Sequence, residues 1–175
     1  MEIKKIIFLL VGFSLLSFNL PSNIKKKVDK EVNETFEVND FNFSSVLIPS
    51  EIEQSLPSRF GENNFFKIES NNEFLAYAYV SQAASKTALF DFLVLLDKDL
   101  VVLKTKILIY REDYGGEIGS KRWLKQFIGK TQNDDLKYGE DIVAISGATI
   151  SVRSFTQAMN DLLKSLNILH SKQIL

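Results

Sequence analysis

The chain has 175 residues, of which 45% are hydrophobic and 25% charged, a profile typical of one globular domain with an appendage. The net charge of −1 argues against a nucleic-acid-binding surface, which needs a basic face. Cysteine is absent and the one histidine, His170, lies near the C-terminus, so disulfides, thiolate or histidine-cluster metal sites and cysteine nucleophiles are excluded. Redox chemistry would therefore need an organic cofactor.

Residues 1–24 have the pattern of a signal peptide or membrane anchor. Lys4 and Lys5 precede an uncharged run, 6–24, whose first half is almost wholly apolar. Polar residues dilute this run before it reaches the about 20 apolar residues of a membrane span, and no typical cleavage site is present, so an uncleaved anchor and a buried first helix stay open. The lysines at 25–27 oppose export of the downstream chain. We nevertheless predict an exported or membrane-anchored protein that faces outside the cytoplasm, in a periplasmic or extracytoplasmic location.

Residues 25–60 are predicted to be a helical and loop lead-in to a domain that spans 61–170. Val28, Val32 and Phe36 recur at a four-residue spacing, which suits one face of a helix. The stretch after that helix is short and interrupted by prolines, and it is interpreted as a loop with a strand or a helical turn.

Four strands are predicted from runs of apolar and β-branched residues between positions 65 and 110. Their approximate ranges are 65–69, 73–80, 89–96 and 100–110. Short turns separate them, so an antiparallel meander of about four strands is expected. In the last strand Leu103, Thr105, Ile107 and Ile109 are predicted to share one face.

Helices are predicted after the strands. Residues 119–128 place Trp123 and Phe127 at helical spacing, where both are interpreted as core, and Gly129 stands at a capping position. The polar residues 131–141 are expected to be a loop. A last helix at about 150–169 has a continuous apolar stripe. Strands followed by helices predict an α+β fold.

The segment that enters the last helix is the strongest candidate for a functional site. Ser146, Gly147, Ala148, Thr149 and Ser151 combine hydroxyls, glycine and a small side chain at a helix N-terminus. Unpaired amides and a partial positive charge at such a terminus attract phosphate. Serine and threonine are also ordinary helix caps, so on local grounds a capping role stays open.

This segment is similar to the S/T-G-A-T-x-S/T signature of the FMN-binding domain family, which includes FMN-bearing subunits of the sodium-pumping NADH:quinone reductase and of the Rnf complex. The runs 114–119 and 123–130 also resemble the sequence that precedes the signature. The resemblance covers about 88–166. It implies that the phosphate of FMN is esterified to Thr149 by a flavin transferase that uses FAD and Mg²⁺.

The resemblance also implies that Gly115, Gly116 and Glu117 form a loop over the flavin, although an ordinary turn between strand and helix is equally compatible. Two departures from the family pattern concern covalent attachment. Val143 stands where an acidic residue is usual, with Asp141 two residues earlier as a substitute, and Val152 stands where a hydroxyl is common.

Several polar and aromatic residues outside the signature leave alternatives open. Tyr77, Tyr79 and Tyr110 could stack on a flavin or pack across neighbouring strands. Asp91 interrupts an apolar strand, either on a solvated face or as a buried acceptor. The acidic and basic residues at 111–113 are interpreted as a solvated loop.

The resulting functional prediction is an electron-transfer flavoprotein that carries FMN and relays electrons between membrane redox proteins. No constellation of residues supplies acid–base chemistry, so an electron carrier or a subunit of a redox complex is favoured over a complete enzyme. A non-flavinylated binding or sensor module of the same fold and a flavin-dependent reductase of a small substrate are the alternatives.

Overall fold

The computed structural model describes residues 20–61 and 63–175. Its elements in chain order are α1 (Ser22–Phe36), β1 (Asn42–Ser45), α2 (Ser50–Glu53), β2 (Phe65–Ser70), β3 (Glu73–Ala84), β4 (Leu89–Leu96), β5 (Val102–Ile109), a 3₁₀ turn (Gly116–Gly119), α3 (Lys121–Leu124), a second 3₁₀ turn (Lys125–Phe127) and α4 (Thr149–Ser171). Most of the predicted leader lies outside the described residues. Its last three positions belong to α1.

The strands form one antiparallel sheet in the order β1-β2-β3-β4-β5. The predicted meander is therefore confirmed, with β1 as an additional fifth strand. It arises in the segment interpreted as a loop with a strand or helical turn, which contains both β1 and α2. β4 is buried along seven of its eight residues because the sheet is covered on both sides.

The last helix, α4, packs along one face of the sheet. Its predicted apolar stripe is fully buried and faces the side chains of β3 and β4. The residues of that stripe are Val152, Phe155, Met159, Leu162, Leu166 and Leu169. The contact extends over a helix of 23 residues and forms the larger of the two hydrophobic clusters of the described chain.

The lead-in helix, α1, covers the opposite face. Ile24, Val28 and Val32 pack on aliphatic residues of the sheet. This arrangement confirms the α+β class. Within the described residues, no helix is long and apolar enough to cross a membrane.

Two details of the predicted elements were wrong. Residues 119–128 form a short α-helix between two 3₁₀ turns, because Ser120 has an extended backbone and starts α3 by accepting a hydrogen bond from the Trp123 amide. On β5, Leu103 and Ile109 pack on the α1 side, whereas Ile107 faces α4. Two irregularities in the β4–β5 pairing interrupt the strict alternation of side chains.

Candidate functional site

Thr149 is the first residue of α4, and a tight turn at residues 145–148 presents it to solvent. The Ala148 amide donates to the Ile145 carbonyl at 3.1 Å, with Ser146 and Gly147 at the exposed tip. Gly147 has a φ of 80°, the left-handed value that the third position of a type II turn requires and that glycine adopts freely. The turn thus leaves the Thr149 side chain exposed at the helix start.

The start of α4 is not capped by any side chain of the described residues, since Ala148 occupies the capping position. The first amide that donates into the helix is that of Val152, which bonds the Ala148 carbonyl at 2.9 Å. The amides of residues 149–151 precede it and lack intrahelical carbonyls. The capping role that the sequence left open for Ser146 and Thr149 is therefore not used, and the helix start is available to an anion.

A pocket of about 400 Å³ lies in front of this helix start. We call it the α4 pocket; its lining is Lys86, Tyr110, Glu112, Tyr114 and residues 147–151. Within it, the hydroxyls of Tyr110 and Ser151 form a hydrogen bond of 2.9 Å, which joins the end of β5 to the first turn of α4. The volume is within the range of small-molecule and cofactor sites.

Gly115 brings the connection after β5 into direct contact with the helix start. It has a φ of 79°, and a Cβ added there would lie 2.7 Å from the Ala148 Cβ and 3.2 Å from the Tyr110 hydroxyl. Gly116 and Glu117 are instead exposed residues of the first 3₁₀ turn, and Glu117 lines a neighbouring groove. Of the three residues predicted to form a loop over the flavin, Gly115 is the one placed against the S-G-A-T turn.

The loop that leads to the S-G-A-T turn is held by side chains of the preceding short helices. The Trp123 indole donates to the Val143 carbonyl at 2.8 Å, and the Val143 amide donates to Gln126 Oε1 at 2.7 Å. The Val143 side chain is 64% exposed beside this anchored backbone. Asp141 accepts a hydrogen bond from the Lys137 amide at 2.9 Å, within its own loop. Trp123 and Phe127 are core residues, as predicted.

Residues 111–113 lie in a loop, as predicted, but the sequence pattern did not indicate the hydrogen bonds that Glu112 forms there. Its carboxylate accepts hydrogen bonds from Ser85 Oγ at 2.6 Å, from the Thr87 amide at 2.7 Å and from Thr87 Oγ1 at 3.0 Å. The bond from the Ser85 hydroxyl, followed by that from the Thr87 amide, lowers the pKa of Glu112 below its ordinary value. Glu112 is therefore a carboxylate that fixes the β3–β4 turn beside the α4 pocket.

Asp91 and two of the three strand tyrosines have structural rather than ligand-binding surroundings. Asp91 is buried and accepts from Arg111 at 2.6 Å and from Gln82 at 2.7 Å. Tyr77 and Tyr79 pack on other rings of the core, such as that of Phe65. The exception is Tyr110, which lines the α4 pocket.

Four lining residues of the α4 pocket were not predicted as site residues: Lys86, Glu112, Tyr114 and Ile150. Lys86 and Tyr114 lie in connections whose sequence resembles ordinary turns, and their approach to Thr149 depends on how β3, β5 and α4 meet. The sequence offered one signal for Tyr114, an aromatic residue inside a predicted turn. The structure leaves its side chain 82% exposed.

The antiparallel sheet, the final helix and the exposed threonine after a Ser-Gly-Ala turn can be compared with known proteins. Residues 90–164 match the family described as the FMN-binding domain, and the resemblance predicted from the sequence is confirmed. Among solved structures, the crystal structure of Shewanella oneidensis NqrC is similar in fold, with a TM-score of 0.57 at 15% sequence identity over 86% of this chain and 100% of that chain. No curated protein matches the chain.

Proposed function

We propose that this protein is an electron-transfer flavoprotein that holds FMN in the α4 pocket through a phosphoester to Thr149. The observation that carries the proposal is the exposed Thr149 hydroxyl at an uncapped helix start, inside the segment that matches the FMN-binding domain family. FMN supplies reversible one- and two-electron exchange when it is bound, and the chain itself provides attachment, orientation and electrostatic surroundings.

The phosphate end of FMN suits the start of α4. The free amides at 149–151 are hydrogen-bond donors, and the helix dipole adds partial positive charge at the same place. Gly147 and Ala148 have no side chain beyond a methyl group, so a phosphate can approach the backbone closely. The Ser151 hydroxyl lines the pocket within the first turn of the helix.

The ring end of FMN suits the mouth of the α4 pocket. Tyr114 is 82% exposed and Ile150 is 51% exposed, and both line the pocket. Large apolar side chains that remain exposed beside a pocket are typical of ligand-binding surfaces. A flat isoalloxazine ring would cover them and gain the stacking and burial energy that the protein leaves unused.

Attachment to Thr149 is a phosphoryl transfer in which no group is oxidised or reduced. The Thr149 oxygen forms a bond to the FMN phosphorus of FAD, the pyrophosphate bond breaks, AMP leaves and the hydroxyl proton is released. A flavin transferase with Mg²⁺ would perform this step. A covalent link keeps the flavin on a protein that works at or outside the membrane, where lost FMN is not readily replaced, and membrane redox proteins would be its donor and acceptor.

The test is intact mass and flavin absorbance of the protein after co-expression with a flavin transferase. Wild-type protein should carry one FMN that survives denaturation, whereas Thr149→Ala should carry none. The free energy of unfolding of Thr149→Ala should lie within about 0.5 kcal/mol of wild type, because the Thr149 side chain is exposed and does not cap the helix. Ser146→Ala is the matched control and should keep the flavin. An adduct that persists in Thr149→Ala would show that another hydroxyl is the acceptor.

Val143 favours a second candidate, a binding or sensor module without covalent flavin. It stands where the family usually has an acidic residue, and its exposed side chain offers a transferase an apolar surface at that position. The same mass measurement separates the two candidates. Wild-type protein without added mass, together with an adduct on Val143→Asp, would refute covalent flavin in the wild type and favour the second candidate.

A further inference from the structure

We infer that Lys86 is the cation that binds the phosphate of FMN in the α4 pocket and that Glu112 is the positioning residue that holds it there. This inference rests on the proposed function and adds to it a phosphate-selective contact from the β3–β4 turn. The S-G-A-T segment contains no positive charge, so a cation that contacts the phosphate comes from another part of the chain.

The turn that carries Lys86 is fixed on both sides of the lysine by one carboxylate. Glu112 accepts hydrogen bonds from the side chain of Ser85 and from both the amide and the hydroxyl of Thr87, at 2.6, 2.7 and 3.0 Å respectively. Hydrogen bonds to an ionised acceptor are stronger than those between neutral groups. The backbone of Lys86 is thereby held, while its own side chain takes no part in these bonds.

A second link joins this turn to α4. The Ser154 hydroxyl, in the second turn of the helix, donates to the carbonyl of Ala84, the last residue of β3. Lys86 follows Ala84 by two residues, so this hydrogen bond fixes the position of the turn relative to the start of α4. As a consequence, Lys86 and Thr149 line the same pocket although they lie far apart in the sequence.

The charges around the pocket leave Lys86 available to a ligand. Among residues 20–61 and 63–175 it forms no ion pair, in contrast to Lys98 in the next hairpin turn, which pairs with Asp99 at 3.0 Å. Glu112, the acidic side chain of the pocket lining, already accepts three hydrogen bonds. A phosphate at the helix start would therefore find one free ammonium group and a carboxylate whose charge is partly compensated.

Comparison of FMN with riboflavin isolates the phosphate contact, because the two ligands differ by that group alone. Protein made without a transferase would be titrated with each flavin, and fluorescence quenching would give both dissociation constants. Lys86→Ala should reduce the preference for FMN over riboflavin about tenfold, the effect of one charge-assisted hydrogen bond, and leave riboflavin affinity unchanged. Lys86→Arg should restore most of the preference, and Lys98→Ala, the matched control, should behave as wild type.

Glu112→Gln tests the positioning role. A neutral amide retains a single acceptor atom for the three donors, so the turn is held less firmly and the preference for FMN should fall by less than in Lys86→Ala. An equal loss of FMN and riboflavin affinity in either variant would show a general structural effect and overturn the inference. An unchanged preference in Lys86→Ala would overturn it as well.

The flavinylated protein provides an independent measurement. The ³¹P resonance of its phosphodiester should shift in Lys86→Ala and return in Lys86→Arg, and an identical resonance in wild type and Lys86→Ala would contradict the contact. Failure of the proposed function has a different signature. Wild-type protein that binds neither flavin and gains no mass with a transferase would refute the flavin site itself, and the phosphate contact with it.

Discussion

The two faces of the sheet are closed by helices with different chemistry. On one face α4 packs an uninterrupted apolar stripe, and its first turn extends into the α4 pocket. On the other face α1 buries a shorter aliphatic row together with an ion cluster, Glu31 with Lys104 and Lys106. The difference indicates that the α4 face both stabilises the domain and orients the site, whereas the α1 face serves stability.

The α4 face achieves this through aromatic packing close to the site. Phe155 is fully buried, and its ring lies 5.0 Å from that of Phe92 and 4.9 Å from that of Phe127, edge to face in both pairs. Trp123 lies 5.9 Å away and also holds the Val143 carbonyl. Because Phe155 follows Thr149 by fewer than two helical turns, this cluster determines where the helix start lies.

The largest expected effect comes from Phe155→Ala. Removal of a fully buried ring should lower the free energy of unfolding by about 3–5 kcal/mol, and the displaced helix start should reduce flavin attachment in the folded fraction. Chemical denaturation and intact mass measure the two quantities. Phe155→Leu should show a smaller loss of both and remains usable if the alanine variant does not fold.

Val28→Ala is the counterpart on the α1 face. It removes a fully buried aliphatic side chain and should cost about 1–3 kcal/mol, with flavin attachment unchanged in the folded fraction. If Val28→Ala reduced attachment as strongly as Phe155→Leu at equal loss of stability, the division between the two faces would be wrong.

An effect smaller than that of Phe155→Ala is expected from Gly115→Ala, which tests the contact between the β5 connection and the helix start. The added methyl would meet the Ala148 Cβ at 2.7 Å, and φ is positive there, so the free energy of unfolding should be about 2–3 kcal/mol lower than in wild type. Flavin affinity should fall because Ala148 must move. Gly116→Ala, with no atom within 4 Å of its added Cβ, should leave both stability and affinity close to wild type.

Local patterns were sufficient to predict most of the elements. The alternation and turns of 65–110 depend on neighbouring residues, and so does the stripe of α4, so these were found from the sequence. β1 was less distinct because it is a four-residue edge strand whose burial comes from pairing with β2. The single helix predicted at 119–128 is not formed because Ser120 has an extended backbone, which separates the first 3₁₀ turn from α3.

The candidate site divides in the same way. Its turn and helix start are contiguous in the sequence, so a motif identifies Thr149 and its neighbours. Lys86 and Glu112 come from other connections and reach the pocket through side-chain bonds across the fold, such as that of Ser154 with Ala84. The pattern of a single segment cannot predict that residues from different connections lie in one pocket. Glu112 in its own segment is indistinguishable from a solvated loop residue.

A modest stability effect is expected at the ion cluster of the α1 face. Glu31 is 4% exposed, and its two carboxylate oxygens lie 2.7 Å from the ammonium groups of Lys104 and Lys106. Glu31→Gln removes the negative charge that pairs with two partly buried lysines. The free energy of unfolding should fall by about 1–2 kcal/mol at neutral pH, between the values for exposed and fully buried pairs. Glu34→Gln, at an exposed pair on the same helix, should change unfolding by less than about 0.5 kcal/mol.

The pH dependence distinguishes a lost charge pair from a lost packing contact at Glu31. Burial raises the pKa of Glu31, but hydrogen bonds and attraction from Lys104 and Lys106 outweigh it, so the pKa lies below its ordinary value of 4.5. A carboxyl with a lowered pKa in the folded state stabilises the fold above its ordinary pKa and loses that contribution as the pH falls through the lowered value. The difference in unfolding free energy between wild type and Glu31→Gln should therefore be constant near neutrality and shrink below pH 4.5. A difference that stayed constant in acid would show that the glutamine disturbs packing. The α1 face would then be stabilised at this position by packing, as the α4 face is.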